Sequence, residues 1–227
     1  MSCFLAEIEA LREEKLKLFT AKLLPNIEAE KIIGVHIPHL RSLAKNLFKE
    51  ESCKTSVFLE DLPHSYLEEN LLHSFLIEQI TEEAELFRQV ERFLPFVDNW
   101  MVCDTLMPKL FKKNPLSLLP HISAWLASTH TYTVRFSIGL LLKFFLGELF
   151  KAEYLEQVAN IKSEEYYVNM MIAWFFAEAL FKQKDASLPF ITNKRLEAWV
   201  HNKAIQKARE SKRIDTAFKT ELLTLKV

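Results

Sequence analysis

Three glycines in 227 residues exclude most of the folds open to a chain of this length. Tight hairpins and phosphate-cradling loops place residues at positive φ, where glycine alone sits without strain, so a chain this poor in glycine has few of either. Eighteen phenylalanines accompany those three glycines. Helices bury such rings without demanding glycine at their turns. With 49% hydrophobic and 26% charged residues the chain has the balance of a folded globular protein.

Apolar residues recur at helical spacing almost throughout. The residues from Ser2 to Leu24 place Leu5, Ile8, Leu11, Leu16, Phe19 and Leu23 on one stripe ahead of Pro25, which predicts a single amphipathic helix. Pro38 suits the first turn of a helix running through Leu40, Leu43, Leu47 and Phe48. Ser65 and Glu68 read as a capping box for a helix ending near Ile80. Further helices are expected over Glu82 to Phe93, Trp100 to about Met107, Pro115 to Leu126, Tyr132 to Leu146, Glu153 to Ala159, Glu164 to Lys182 and Arg195 to Ser211. Only Val57 to Leu62 reads as a possible extended piece. Apolar helices joined by short turns predict an all-α fold, a right-handed α-α superhelix (solenoid) of HEAT-like or ARM-like helix pairs forming one domain over residues 1–227. One unusual residue recurs on these helices, at Asp104, Arg135 and Trp174, at spacings near a helix-pair repeat. In a solenoid they emerge from equivalent inner helices and face one concave groove.

Cys3, Cys53 and Cys103 are odd in number and widely spaced, which suggests neither a disulfide framework nor a zinc site and fits a cytoplasmic protein. The first residues mix glutamate with lysine, unlike a signal peptide, and the most apolar windows carry charges that fit no membrane span. His36 and His39 flank Pro38, which spoils a helical metal pair, and HExxH, P-loop, GxGxxG and GxSxG patterns are absent. Neither a metal nor a cofactor is expected. The net charge is −1, but residues 1 to 98 hold 11 basic and 18 acidic residues whereas residues 99 to 227 hold 18 and 12. Seven basic residues crowd Lys194 to Arg213, a density that suits either phosphates or a solvated helix face.

Trp100 and Asp104 stand one helical turn apart and so share a face. Pro108, four residues further, removes the N–H that the Asp104 carbonyl needs, so the helix ends or kinks beside the carboxylate. The pair reads either as a site, an indole beside an acid, or as core packing in which Asp104 meets a base such as Arg135. Arg135 opens a very apolar helix and must meet an anion, Asp104 within the protein or a phosphate outside it, with Lys143 as a second phosphate contact. Trp174 follows Tyr167 by seven residues on one face, an aromatic stripe that suits core or site.

Several segments together resemble the DNA alkylation repair family of HEAT-like DNA glycosylases, from about Phe19 to Arg213. They are Lys22 to Asn26, Gly34 to Arg41, Asp98-Asn99-Trp100 with Cys103-Asp104, Val134-Arg135-Phe136, Tyr166 to Met170 through Trp174, and Lys203 to Lys207. The sequence departs at His36, where relatives often carry arginine. The resemblance implies hydrolysis of the N-glycosidic bond of purines alkylated at N3 or N7, such as 3-methyladenine and 7-methylguanine, in a shallow DNA-binding groove without base flipping. It assigns Trp100, Asp104 and Trp174 to the cleft around the damaged nucleotide, and Arg135 to the DNA backbone. Lys143, Lys203 and Lys207 are the further expected DNA contacts. The implied partner is double-stranded DNA carrying alkylated purines, met by a monomer without membrane or small-molecule cofactor. A non-catalytic helical scaffold binding damaged or branched DNA, or a protein, is the alternative.

Overall fold

A computed structural model describes residues 3–50 and 53–227. They fall into two compact units that divide between Pro115 and Leu116. Fifteen α-helices and no strands occur among the described residues, and no helix is long and apolar enough to cross a membrane.

The first unit contains α1 (Leu5–Glu9), α2 (Glu14–Leu23), α3 (Ile37–Lys49), α4 (Cys53–Glu60), α5 (Leu67–Ile77), α6 (Glu83–Phe93), α7 (Trp100–Thr105) and α8 (Lys109–Lys113). Helix α5 is its axis: every residue of it is buried, and α1, α3, α6 and α7 pack around it. Polar side chains on such a helix need partners inside the protein. The Glu68 carboxylate takes three backbone donors at once, Ile33 N–H at 2.9 Å, Gly34 N–H at 2.7 Å and Val35 N–H at 3.3 Å. That carboxylate therefore holds the loop entering α3. Gly34 sits at φ +93°, and a Cβ there would lie 2.6 Å from both the Glu13 carbonyl oxygen and the Lys17 nitrogen. No other residue type fits without moving backbone.

The same close approach divides the expected first helix. Ser2, its expected start, lies outside the described residues, and the remainder is two helices in place of one. Glu13 adopts an extended backbone between them and donates its N–H to the Gly34 carbonyl at 2.8 Å. A tertiary bond has replaced an intrahelical one. Two further expectations are corrected. Val57 to Leu62 is not extended; Val57 to Glu60 complete α4, whose buried Phe58 packs on Phe4 at 5.2 Å between ring centres. The cap of α5 is Tyr66 with Glu69, whose carboxylate accepts from the Ser65 and Tyr66 N–H groups, because Glu68 is turned inward.

The second unit contains α9 (Leu118–Leu126), α10 (Thr131–Phe144), α11 (Ala152–Ala159), α12 (Tyr166–Lys182), α13 (Lys184–Thr192), α14 (Ala198–Glu210) and α15 (Thr216–Thr224). Helix α12 lies between α10 and α14, with α11 and α13 also against it. Its buried face includes Met171, Ala173, Phe175, Phe176 and Ala179. Alternate helices thus pack as neighbours in both units, α3 on α5 on α7 and α10 on α12 on α14.

Candidate functional site

Helix α7 is short and fixed at both ends. Asn99, fully buried, caps it by accepting the Val102 N–H at 3.0 Å, and its amide donates to the Asp98 carboxylate at 2.8 Å. The helix stops at Thr105, three residues before Pro108, as the missing N–H of that proline predicts. Beyond its end the Met107 N–H donates at 3.2 Å to Glu78, which also pairs with Arg41. The Arg41 guanidinium lies 4.1 Å from the centre of the Phe75 ring. Burial holds the Glu78 carboxyl above its ordinary value, against the opposing pull of Arg41 and the Met107 N–H.

Between those anchors stand Trp100 and Asp104. The Trp100 indole N–H donates to the Leu23 carbonyl at the end of α2, at 3.3 Å, so the orientation of the ring is set by a neighbouring helix terminus. Asp104, one turn on, is half-buried, and so is Trp100. The segment leading to them is tied down by Asn26, whose amide donates to the Asp98 carbonyl at 2.8 Å. The motif from Lys22 to Asn26 and the motif around Trp100 are therefore in contact.

In the second unit α10 and α12 bring Arg135 and Trp174 together. The Arg135 side chain is 1% exposed, donates from Nη1 to the Tyr167 carbonyl at 2.8 Å, and lies 5.3 Å from the centre of the Trp174 ring. The guanidinium thus links the start of α12 to the face of Trp174. Trp174 itself remains 37% exposed despite its apolar neighbours. A large ring left open on a helix otherwise built for burial is the kind of feature that marks a contact surface.

The three lysines lie where solvent reaches them to differing extents. Lys143 is exposed on the last turn of α10, its ammonium 6.0 Å from the centre of the Phe144 ring. Lys203, half-buried on α14, lies 5.4 Å from the Trp199 ring and donates to Gln206 at 2.9 Å. Lys207 pairs with Glu210 at 2.8 Å. Within the basic run from Lys194 to Arg213, Arg195 also grips Glu156 through two bonds of 2.7 and 2.6 Å, and Arg213 grips Glu178 through two bonds. The Arg195 pair is open to solvent on both sides, so a phosphate can compete with it.

Periodicity concealed some of the polar anchors. Glu68 was expected in a cap and Glu78 drew no expectation at all, and only the three-dimensional path of the Ile33–Val35 loop and of Met107 gives them their partners. Phe181 was accessible to reasoning, since it continues the steps of seven that run from Tyr167 to Trp174. Among the described residues no group of three or more histidine, cysteine, aspartate or glutamate side chains is arranged to hold a metal ion.

The first unit thus carries an indole and a carboxylate on α7, and the second an indole backed by a guanidinium on α12, all on the helices of an all-α protein. The sequence matches the DNA alkylation repair enzyme family over residues 4–208, and the chain belongs to that family. No curated protein sequence matches it closely.

Proposed function

We propose that the protein is a DNA glycosylase that removes purines alkylated at N3 or N7 from duplex DNA, acting as a monomer. Alkylation at either nitrogen leaves the base cationic, so the bond from C1′ to the purine breaks with the electron pair passing to the base and positive charge developing on the sugar. The Asp104 carboxylate stabilises that developing charge and orients the water that adds to C1′, with release of one proton. Preorganised charge aimed at transition-state charge is among the strongest contributions available to an enzyme. The faces of Trp100 and Trp174 pack on the deoxyribose and add cation-π attraction. The base need not enter a pocket, in contrast to most base-processing enzymes.

One observation carries this reading: Asp104 is half-buried and not sealed into the core, one turn from an indole whose N–H is anchored elsewhere. Family membership supports the DNA substrate. The packing of alternate helices within each unit supports a HEAT-like repeat. Lys143, Lys203 and Lys207 are the proposed backbone contacts, while Arg135 acts through Trp174.

Asp104→Asn keeps the size and polarity of the side chain and removes its charge. The expected outcome is loss of 7-methylguanine release from a duplex carrying one such base, with DNA affinity and circular dichroism unchanged. Release that survives the substitution would falsify the catalytic assignment. Absence of release by the wild type, with DNA binding retained, would leave the non-catalytic scaffold as the reading.

A further inference from the structure

Helix α12 continues its exposed aromatic stripe beyond Trp174. Phe181 follows by seven residues, 39% exposed, and so stands on the same face roughly 10 Å along the axis. Each of the two open rings has a guanidinium against it. Arg135 lies under Trp174 from α10, and Arg213, from the turn after α14, lies 4.5 Å from the centre of the Phe181 ring. The two arginines differ in one respect that decides their use. Arg135 is buried, whereas the Arg213 side chain is 53% exposed.

Arg213 is also held in place. Its Nη1 donates to Glu178 Oε1 at 2.9 Å and its Nη2 to the other carboxylate oxygen, and Lys182 approaches the same carboxylate at 3.2 Å. The Glu178 side chain is only 15% exposed, so it faces the cations more than the solvent. The Arg213 and Lys182 guanidinium and ammonium keep its carboxyl below the ordinary value, although burial acts in the opposite direction. Two cations around one anion leave a net single positive charge. One of the two cations is a planar group held 4.5 Å from the centre of an aromatic ring, with donors left over at its exposed edge. Such a group pays little further ordering entropy when it meets an anion.

We propose that Arg213, seated on Phe181 and steadied by Glu178, is a phosphate contact for the DNA strand whose damaged nucleotide lies against Trp174. This rests on the glycosylase reading for the position of the lesion, but the contact itself is electrostatic and independent of base release. The contact is indifferent to sequence and to alkylation, since it reads the backbone alone. Glu178 has a double effect: it positions the guanidinium, and it competes with the incoming phosphate.

The test is the salt dependence of binding, measured by fluorescence anisotropy with the full chain and two duplexes of identical sequence, one undamaged and one carrying 7-methylguanine. Arg213→Gln is expected to lower the steepness of log K against log[salt] by about one and to weaken both duplexes alike. Arg213→Lys, which keeps the charge, is expected to retain the slope, and Phe181→Leu to weaken binding severalfold without altering it. Glu178→Gln, which leaves the cations without their competitor, is expected to steepen the slope. An unchanged slope in Arg213→Gln overturns the contact even if base release is intact. A reduced slope in a protein that releases no base upholds the contact and sinks the glycosylase reading. Should Arg213→Gln fail to fold, the Arg213→Lys and Glu178→Gln pair decides: no steepening in the latter overturns the proposal. Wild-type binding without salt dependence overturns it outright.

Discussion

Glu68 illustrates how much one carboxylate can settle. Three backbone N–H groups converge on it from a loop 33 to 35 residues earlier in the chain, and it has no route to water that would replace them. Glu68→Ala is expected to destabilise the protein by about 2–4 kcal/mol, through the buried donors left unmade, measured by urea unfolding. Gly34→Ala attacks the same junction from the backbone side and is expected to cost at least about 2 kcal/mol, since it combines positive φ with two approaches of 2.6 Å. An alanine variant as stable as wild type would show that the loop has another path open to it. His73 gives the residue scale a pH dependence. It is fully buried, stacked on Phe93 at 4.1 Å, and its Nδ1 meets His64 Nε2 at 2.8 Å. Burial first, and the neighbouring His64 and Arg92 charges next, push its pKa well below the ordinary 6.5; burial also lowers that of His64. The unfolded chain therefore binds these protons more readily than the folded one. Stability is fully present above pH 6.5 and declines as the pH falls from there toward the folded values, by at most about 1.4 kcal/mol per pH unit for each proton taken up. Urea midpoints between pH 7.5 and 5 measure this, and a flat profile would contradict the assignment.

At the scale of helices the critical element is α7, whose six residues cannot sustain a helix by propensity alone. Asn99 at its start and Glu78 beyond its end supply what length does not. Asn99→Ala is expected to cost about 1–2 kcal/mol by losing the cap in a buried setting, and to impair base release more than DNA affinity because Trp100 and Asp104 lose their frame. Parallel unfolding and single-turnover measurements separate the two effects. The helices themselves were legible from sequence wherever apolar spacing ran long, as in α10, α12 and α14. Short α8, α13 and α15 were not expected, because five to nine residues with few periodic positions resemble connections. The break between α1 and α2 was illegible for a different reason: it is imposed by Gly34, some twenty residues distant. Of the candidate site, Trp100, Asp104, Arg135 and Trp174 stood out as polar or bulky residues on apolar helices. What spacing left open was the depth at which Arg135 lies, and that depends on how closely α10 sits against α12.

Taken as a whole, the molecule divides its charge as it divides its packing. Up to Pro115 acids exceed bases by five, and from Leu116 onward bases exceed acids by four. Exposed pairs such as Arg195 with Glu156 bring opposite charges together but leave that net excess unchanged. With Lys143, Lys203, Lys207 and Arg213 as the contacts, log K against log[salt] is expected to fall with a slope of about −3 to −4. A slope near zero would mean that these side chains meet no phosphates. Lys143→Gln should flatten it by about one in its own right, whatever the state of Arg213.

The seating of Arg135 beneath Trp174 has a corollary for how this surface can diverge. The indole is the electron-rich lid over a cation that has almost no water of its own. Exchanging that tryptophan for an aliphatic residue would therefore remove the aromatic face over the guanidinium and leave its bond to the Tyr167 carbonyl in place. Descendants of this sequence can change the two positions jointly or trade one aromatic for another, but neither can drift alone.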